Sequence, residues 1–160
     1  MLKKKSQEKD TSRGFFEMAF IMLCGEKVAD SDIKVTAEGK PYFTKAEWPK
    51  FSITHSGDIW AVNFTEFGEE EETGMDMEIR NHSKKLTPRV LKRILAPGEQ
   101  PVKGDYLNNF VIKEAFGKLI GTGLGVGFRS FDANSLIKKY RAADLSNDEY
   151  VWWILQGSNL

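Results

Sequence analysis

Two segments with a two-residue period flank a four-residue turn, and such a hairpin restricts the chain to folds containing an antiparallel sheet. Phe51 to Thr54 and Ile59 to Thr65 alternate as half-buried strands do, and His55-Ser56-Gly57-Asp58 between them reads as the turn. Met75 to Ile79 alternates again and predicts a third strand. The four glutamates between Gly68 and Thr73 read most simply as a solvated loop joining two strands.

Helical periodicity lies on both sides of these strands. From about Asp10 to Cys24, Phe15, Phe16, Ala19, Phe20, Met22 and Leu23 fit an amphipathic helix stopped by Gly25. Thr87-Pro88 supplies an N-cap and first-turn proline for a helix towards Leu95, which Ala96-Pro97-Gly98 ends. A longer helix is predicted from about Asp105 to Ile120, with Leu107, Val111, Ala115 and Leu119 on one stripe. Gly121 to Gly127 reads as a flexible turn, and the remainder as mostly β, ending in the apolar Tyr150 to Leu155. Strands and helices without regular βαβ alternation indicate an α+β fold.

A length of 160 residues suits one compact domain or two small halves sharing a core. The 23 basic and 23 acidic residues cancel, so no global field points to nucleic acid. Phe15 to Cys24, the longest apolar stretch, is interrupted by Glu17 and is too short to span a bilayer. No convincing signal-peptide cleavage site follows it. Cys24 is the single cysteine, which excludes an intrachain disulfide and a cysteine metal cluster. A cytoplasmic location without membrane attachment is the simplest expectation.

Three groups of residues carry potential chemistry. Asp76 and Glu78 alternate on one strand, so their carboxylates share a face, roughly 6–7 Å apart along it. Such a pair suits Mg2+, which takes one or two carboxylates plus waters and phosphates; it equally suits an acidic exposed strand face. On the later helix, Lys113, Glu114 and Lys118 lie away from the apolar stripe. Glu114 and Lys118 fit an ordinary surface ion pair four residues apart, or a metal carboxylate flanked by ammonium groups for phosphates. His55 and Ser56 either bond locally within their turn or donate to a phosphate oxygen. His82 is expected at the surface.

Taken in order, Gly-Lys-Pro-Tyr-Phe (39–43), Phe-Ser-Ile-Thr-His-Ser-Gly (51–57), Gly-Met-Asp-Met-Glu (74–78) and Phe-Val-Ile-Lys-Glu-Ala (110–115) resemble the signature set of the 4′-phosphopantetheinyl transferases. The likeness runs from about Arg13 to Phe131 and is to the larger branch, which activates peptide and polyketide synthases. That resemblance implies a pseudo-dimer of two similar halves, 1–72 and 73–160, each a small antiparallel sheet packed on a long helix. It implies a monomer, because both halves of the site lie on one chain.

The resemblance also assigns roles. Asp76, Glu78 and Glu114 match metal-associated acids, and Lys113, Lys118 and His55 match residues contacting coenzyme A phosphates. Lys40 and Pro41 fall in the stretch lining the nucleotide site. Glu99 falls where the family carries a further acid that can serve as base. Phe110 replaces the usual tryptophan, and Met77 offers no hard oxygen to magnesium. The chain is short at its N-terminus relative to that branch, with Lys3, Lys4, Lys5 or Arg13 available to replace missing phosphate contacts. The implied activity is Mg2+-dependent transfer of phosphopantetheine from coenzyme A to a serine of an acyl or peptidyl carrier protein. The alternative is a member that binds coenzyme A or carrier without transfer. Arg89, Lys92 and Arg93 on the helix after Thr87 are either the carrier contact or an ordinary solvated basic side.

Overall fold

The structure, a computed structural model, describes residues 2–80, 86–123 and 127–158, with side chains from residue 13 onward. His82 and Lys3 to Lys5 therefore lie outside the described side chains. The first half of the chain contains α1 (Leu2–Cys24), β1 (Ile33–Val35), β2 (Pro41–Phe43), β3 (Phe51–Ser56) and β4 (Ile59–Phe64). The second contains β5 (Glu72–Ile79), α2 (Pro88–Ile94), α3 (Tyr106–Ile120), α4 (Ala133–Lys139), β6 (Arg141–Asp144) and β7 (Tyr150–Gly157). The architecture is α+β, with three small antiparallel sheets ordered β1-β2, β3-β4 and β5-β7-β6. Among the described residues no helix is long and apolar enough to cross a membrane.

Two cores form, one per half. In the first, α1 buries Phe16 and Phe20 against Trp48 and Phe51. The rings pack tightly, with Phe16 to Phe51 centroids at 4.5 Å and Phe20 to Trp48 at 4.7 Å. Aromatic contacts at this range add directional attraction to area burial. In the second, Leu107, Val111, Ala115 and Leu119 of α3 pack on Val151, Trp153 and Leu155 of β7 and on Leu136 of α4. Asp105 caps α3 by accepting from the Leu107 N–H at 2.9 Å. Gly121 ends the helix in the left-handed region at φ 80°, where glycine carries no Cβ penalty.

The structure revises several boundaries. β3 continues through His55 and Ser56, which pair with Trp60 and Ile59. The turn is therefore only Gly57-Asp58, with Gly57 at φ 60°, a two-residue loop whose twist matches the strands. Helix α1 begins at Leu2 rather than near Asp10, because the preceding lysines, glutamine and glutamate all tolerate helix well. β5 begins at Glu72, whose partner is Gly157. Helix α4 falls in a region expected to be mostly β. At seven residues it is too short for a periodic signal, and its trace in the sequence is Asp132, whose side chain accepts from Ser135 N–H.

Strand β5 presses on α3 at Gly74. A Cβ there would lie 2.0 Å from the Ala115 carbonyl oxygen and 2.4 Å from Leu119 N, both backbone atoms that cannot turn aside. Gly74 thus sets the separation between the strand carrying Asp76 and the helix carrying Glu114. Gly74→Ala should cost about 3 kcal/mol and lower Tm by about 10 °C in a circular-dichroism melt. Gly14→Ala, on α1 with nothing within 4 Å, should leave Tm unchanged or raise it slightly.

Candidate active site

Alternation along β3 puts Ser52, Thr54 and Ser56 on one face, and all three side chains reach across to β5. Ser52 Oγ accepts from Met75 N–H at 2.9 Å, and Ser56 Oγ accepts from Ile79 N–H at 3.1 Å. Thr54 donates to Asp76 Oδ1 and Ser56 donates to Glu78 Oε2, both at 2.9 Å. β3 and β5 belong to different sheets, so this row of hydroxyls ties them where no backbone ladder runs. Period-two spacing of hydroxyls was the signal in the sequence, and it bears on Ser52 and Thr54 as well as Ser56.

Behind this row lies an open cavity of about 410 Å³ lined by Thr54, His55, Asp76, Glu78, Phe110, Glu114 and Lys118. Asp76 and Glu78 enter from β5, Glu114 and Lys118 from α3, and His55 from β3. Lys118 Nζ donates to Asp76 Oδ1 at 2.8 Å, with Asp76 largely buried and Lys118 less so. Burial pushes the Glu114 carboxyl up to about 7; Asp76 and Glu78 add to that rise and Lys118 opposes it. His55 stacks on Trp60 with centroids 4.4 Å apart and stands exposed at the rim. Met77, between the two acids, is buried, as alternation along the strand requires.

A second cavity of about 230 Å³ adjoins the first through Lys118 and is lined by Lys40, Pro41, Ser52, Gly117, Gly121 and Gly123. Lys40 is engaged there: Nζ donates to Glu72 Oε2 at 2.6 Å and to the Leu119 carbonyl at 2.8 Å. That carbonyl belongs to the last turn of α3, where a cation is favoured by the helix dipole. Arg13 pairs with Glu17 and Asp30, beside the first core.

Two expected site residues lie elsewhere. Lys113 was expected at phosphates, but its side chain is 1 % exposed and pairs with Glu99 Oε2 at 2.5 Å. Its other hydrogens go to the Ile94 and Phe128 carbonyls, which completes an ammonium's three donations. Glu99, expected as a base, accepts from Lys113, from Asn109 Nδ2 and from the Ala96 and Ala133 N–H groups. Burial pushes its carboxyl up, yet these hydrogen bonds hold it below the usual range. Burial lowers the Lys113 ammonium, with Glu99 opposing. The pair fastens α3 to the segments after α2 and before α4, and is a structural strut. Ser56, expected to donate to phosphate, commits its proton to Glu78 instead.

The acid cavity gathers three carboxylates, Asp76, Glu78 and Glu114. Its three carboxylates offer oxygen ligands, which Mg2+ prefers, and it already seats the ammonium of Lys118 on Asp76. As they are placed, the described residues include no group of three or more His, Cys, Asp or Glu that could hold a metal ion. A scan against protein-family models and a search of curated proteins give no match for the chain.

Two measurements follow from these environments. Removing one partner of the buried pair, as in Lys113→Ala, should cost about 3–5 kcal/mol of unfolding free energy in urea titration of the ligand-free protein. Glu114 acts through pH. Its ordinary value is 4.5 and its folded value about 7, so between these the folded chain holds a proton that the unfolded chain has released. Its contribution is therefore full below pH 4.5 and is lost as pH rises through 7. Urea melts across that window should show a flatter decline for Glu114→Gln than for the wild type. An identical decline would assign the effect to another group.

Proposed function

We propose that the chain is a phosphopantetheinyl transferase, moving the phosphopantetheine arm of coenzyme A onto a serine of an acyl or peptidyl carrier protein. The observation that carries this reading is the meeting of Asp76, Glu78, Glu114, Lys118 and His55 around one cavity. Asp76, Glu78, Glu114 and His55 come from three of the four motifs that resemble that family's, far apart in sequence, and Lys118 lies one helical turn beyond Glu114. The fourth, with Lys40 and Pro41, lines the adjoining cavity, which suits an elongated ligand with charge at one end.

The reading extends to the architecture. In each half a long helix precedes an antiparallel pair: α1 before β3-β4, and α3 before β6-β7. We read this as the pseudo-dimer repeat, divided after residue 72, with the acids at the junction. A single chain holding both halves is expected to act as a monomer in the cytoplasm.

Asp76, Glu78 and Glu114 would hold Mg2+, which supplies charge neutralisation on the diphosphate of coenzyme A. Lys118 and His55 are placed to hold the remaining phosphate oxygens, and Lys40 and Pro41 to flank the nucleotide portion. In the transfer, the carrier serine oxygen forms a bond to the β-phosphorus and the bond to 3′,5′-ADP breaks. A carboxylate at the cavity, Glu114 in this reading, would accept the serine proton at Oε. Thr54 and Ser56 hold Asp76 and Glu78 in place from the opposite strand. Arg89, Lys92 and Arg93 on α2 are the candidate contact for an acidic carrier.

Incubating the chain with apo acyl carrier protein, coenzyme A and Mg2+ should add one phosphopantetheine mass to the carrier. The gain should disappear with EDTA and fall at least about a hundredfold in rate for Asp76→Ala, whose folding is checked by circular dichroism. Coenzyme A binding without any mass gain across several carriers would instead identify a non-transferring binder. Neither binding nor gain would remove the family reading.

A further inference from the structure

The ligand-free cavity contains its own cation. Lys118 Nζ and Thr54 Oγ1 both donate to the same oxygen, Asp76 Oδ1, at 2.8 and 2.9 Å. Any cation seeking that oxygen must contend with the ammonium. Lys118 also lines the neighbouring cavity, where Gly117, Gly121 and Gly123 stand nearby without side chains. Its long stem thus borders two spaces, one acidic and one lined by Lys40.

We infer that Lys118 is an exchangeable resident cation: it pairs with Asp76 and turns to the adjoining cavity when a divalent cation takes its place. This rests on reading the acid cavity as a divalent-cation site. Paired with Asp76, Lys118 offsets part of the repulsion among Asp76, Glu78 and Glu114, keeping the acids gathered. On exchange its charge is delivered to the adjoining cavity, beside a diphosphate held at the acids, so the cation that displaces Lys118 also prepares the anion site. Anion binding in turn favours the displaced lysine, so the two ligands reinforce one another. Coupling of this kind is reciprocal, each ligand tightening the other by the same factor.

The test uses the full chain and the metal alone. Free Mn2+ measured by electron paramagnetic resonance gives the dissociation constant for wild type and Lys118→Met. Removing the competing ammonium should tighten Mn2+ binding about tenfold. In parallel, acetic anhydride labelling of wild-type Lys118, read by peptide mass spectrometry, should increase several-fold when Mg2+ is added. Equal Mn2+ affinities overturn the exchange while leaving the cation site in place. Tighter binding by the variant with unchanged wild-type labelling also overturns it, because Lys118 then repels the cation without moving. Absence of Mn2+ binding by both chains overturns the cation reading itself, and the exchange with it.

Discussion

The row of hydroxyls between β3 and β5 is the contact on which the candidate site depends. β5 is the edge of its sheet, and a buried edge leaves N–H groups that must find acceptors. Ser52 and Ser56 supply them to Met75 and Ile79. Because the acceptors are side chains, Thr54 and Ser56 still have protons to give, and these go to Asp76 and Glu78. A backbone ladder would satisfy the edge without bringing hydroxyl donors to the carboxylates. One set of small polar side chains therefore joins the two halves and fixes two acids.

Adjacent residues of α3 show two outcomes of placing charge near a core. Lys113 points inward, but Glu99 and two carbonyls use all its hydrogens, and Glu99 is matched by four donors. Nothing is left over for a ligand. Glu114, one residue on and turned by about 100°, is pushed up to about 7 by burial, with the neighbouring carboxylates of Asp76 and Glu78 adding to the rise. The first arrangement is complete and serves the fold. The second opposes ionisation, and a cation near Glu114 would reverse that opposition.

Much of this arrangement was legible in the sequence. The strand period of β3, β4 and β5 and the apolar stripe of α3 gave the α+β class, and the D-x-E spacing gave the shared face of Asp76 and Glu78. Burial was less legible. Lys113 and Lys118 both lie off the predicted stripe, and periodicity cannot tell which will be covered by segments arriving from elsewhere. Lys113 is covered by the chain around Ile94 and Phe128, contacts that depend on loops rather than on pattern. His55 and Ser56 were displaced from a turn into a strand because two residues suffice where glycine has positive φ. That change alone turns Ser56 from a loop donor into a support for Glu78.

Two lysines lie at the junction of the halves, and their differences bear on which can respond to a ligand. Lys40 is fixed by Glu72 and by the end of α3, a carboxylate and a helix carbonyl at short range. Drawing it away would leave both acceptors unmatched. The hydrogen bond from Lys118 to Asp76 is backed by a second one from Thr54 to the same oxygen, so that carboxylate keeps a donor when the ammonium leaves. The cost of releasing Lys118 is correspondingly smaller, and a divalent charge replaces more than the single charge withdrawn. Thr54 therefore does more than position Asp76: by sharing its oxygen, it makes the lysine beside it dispensable.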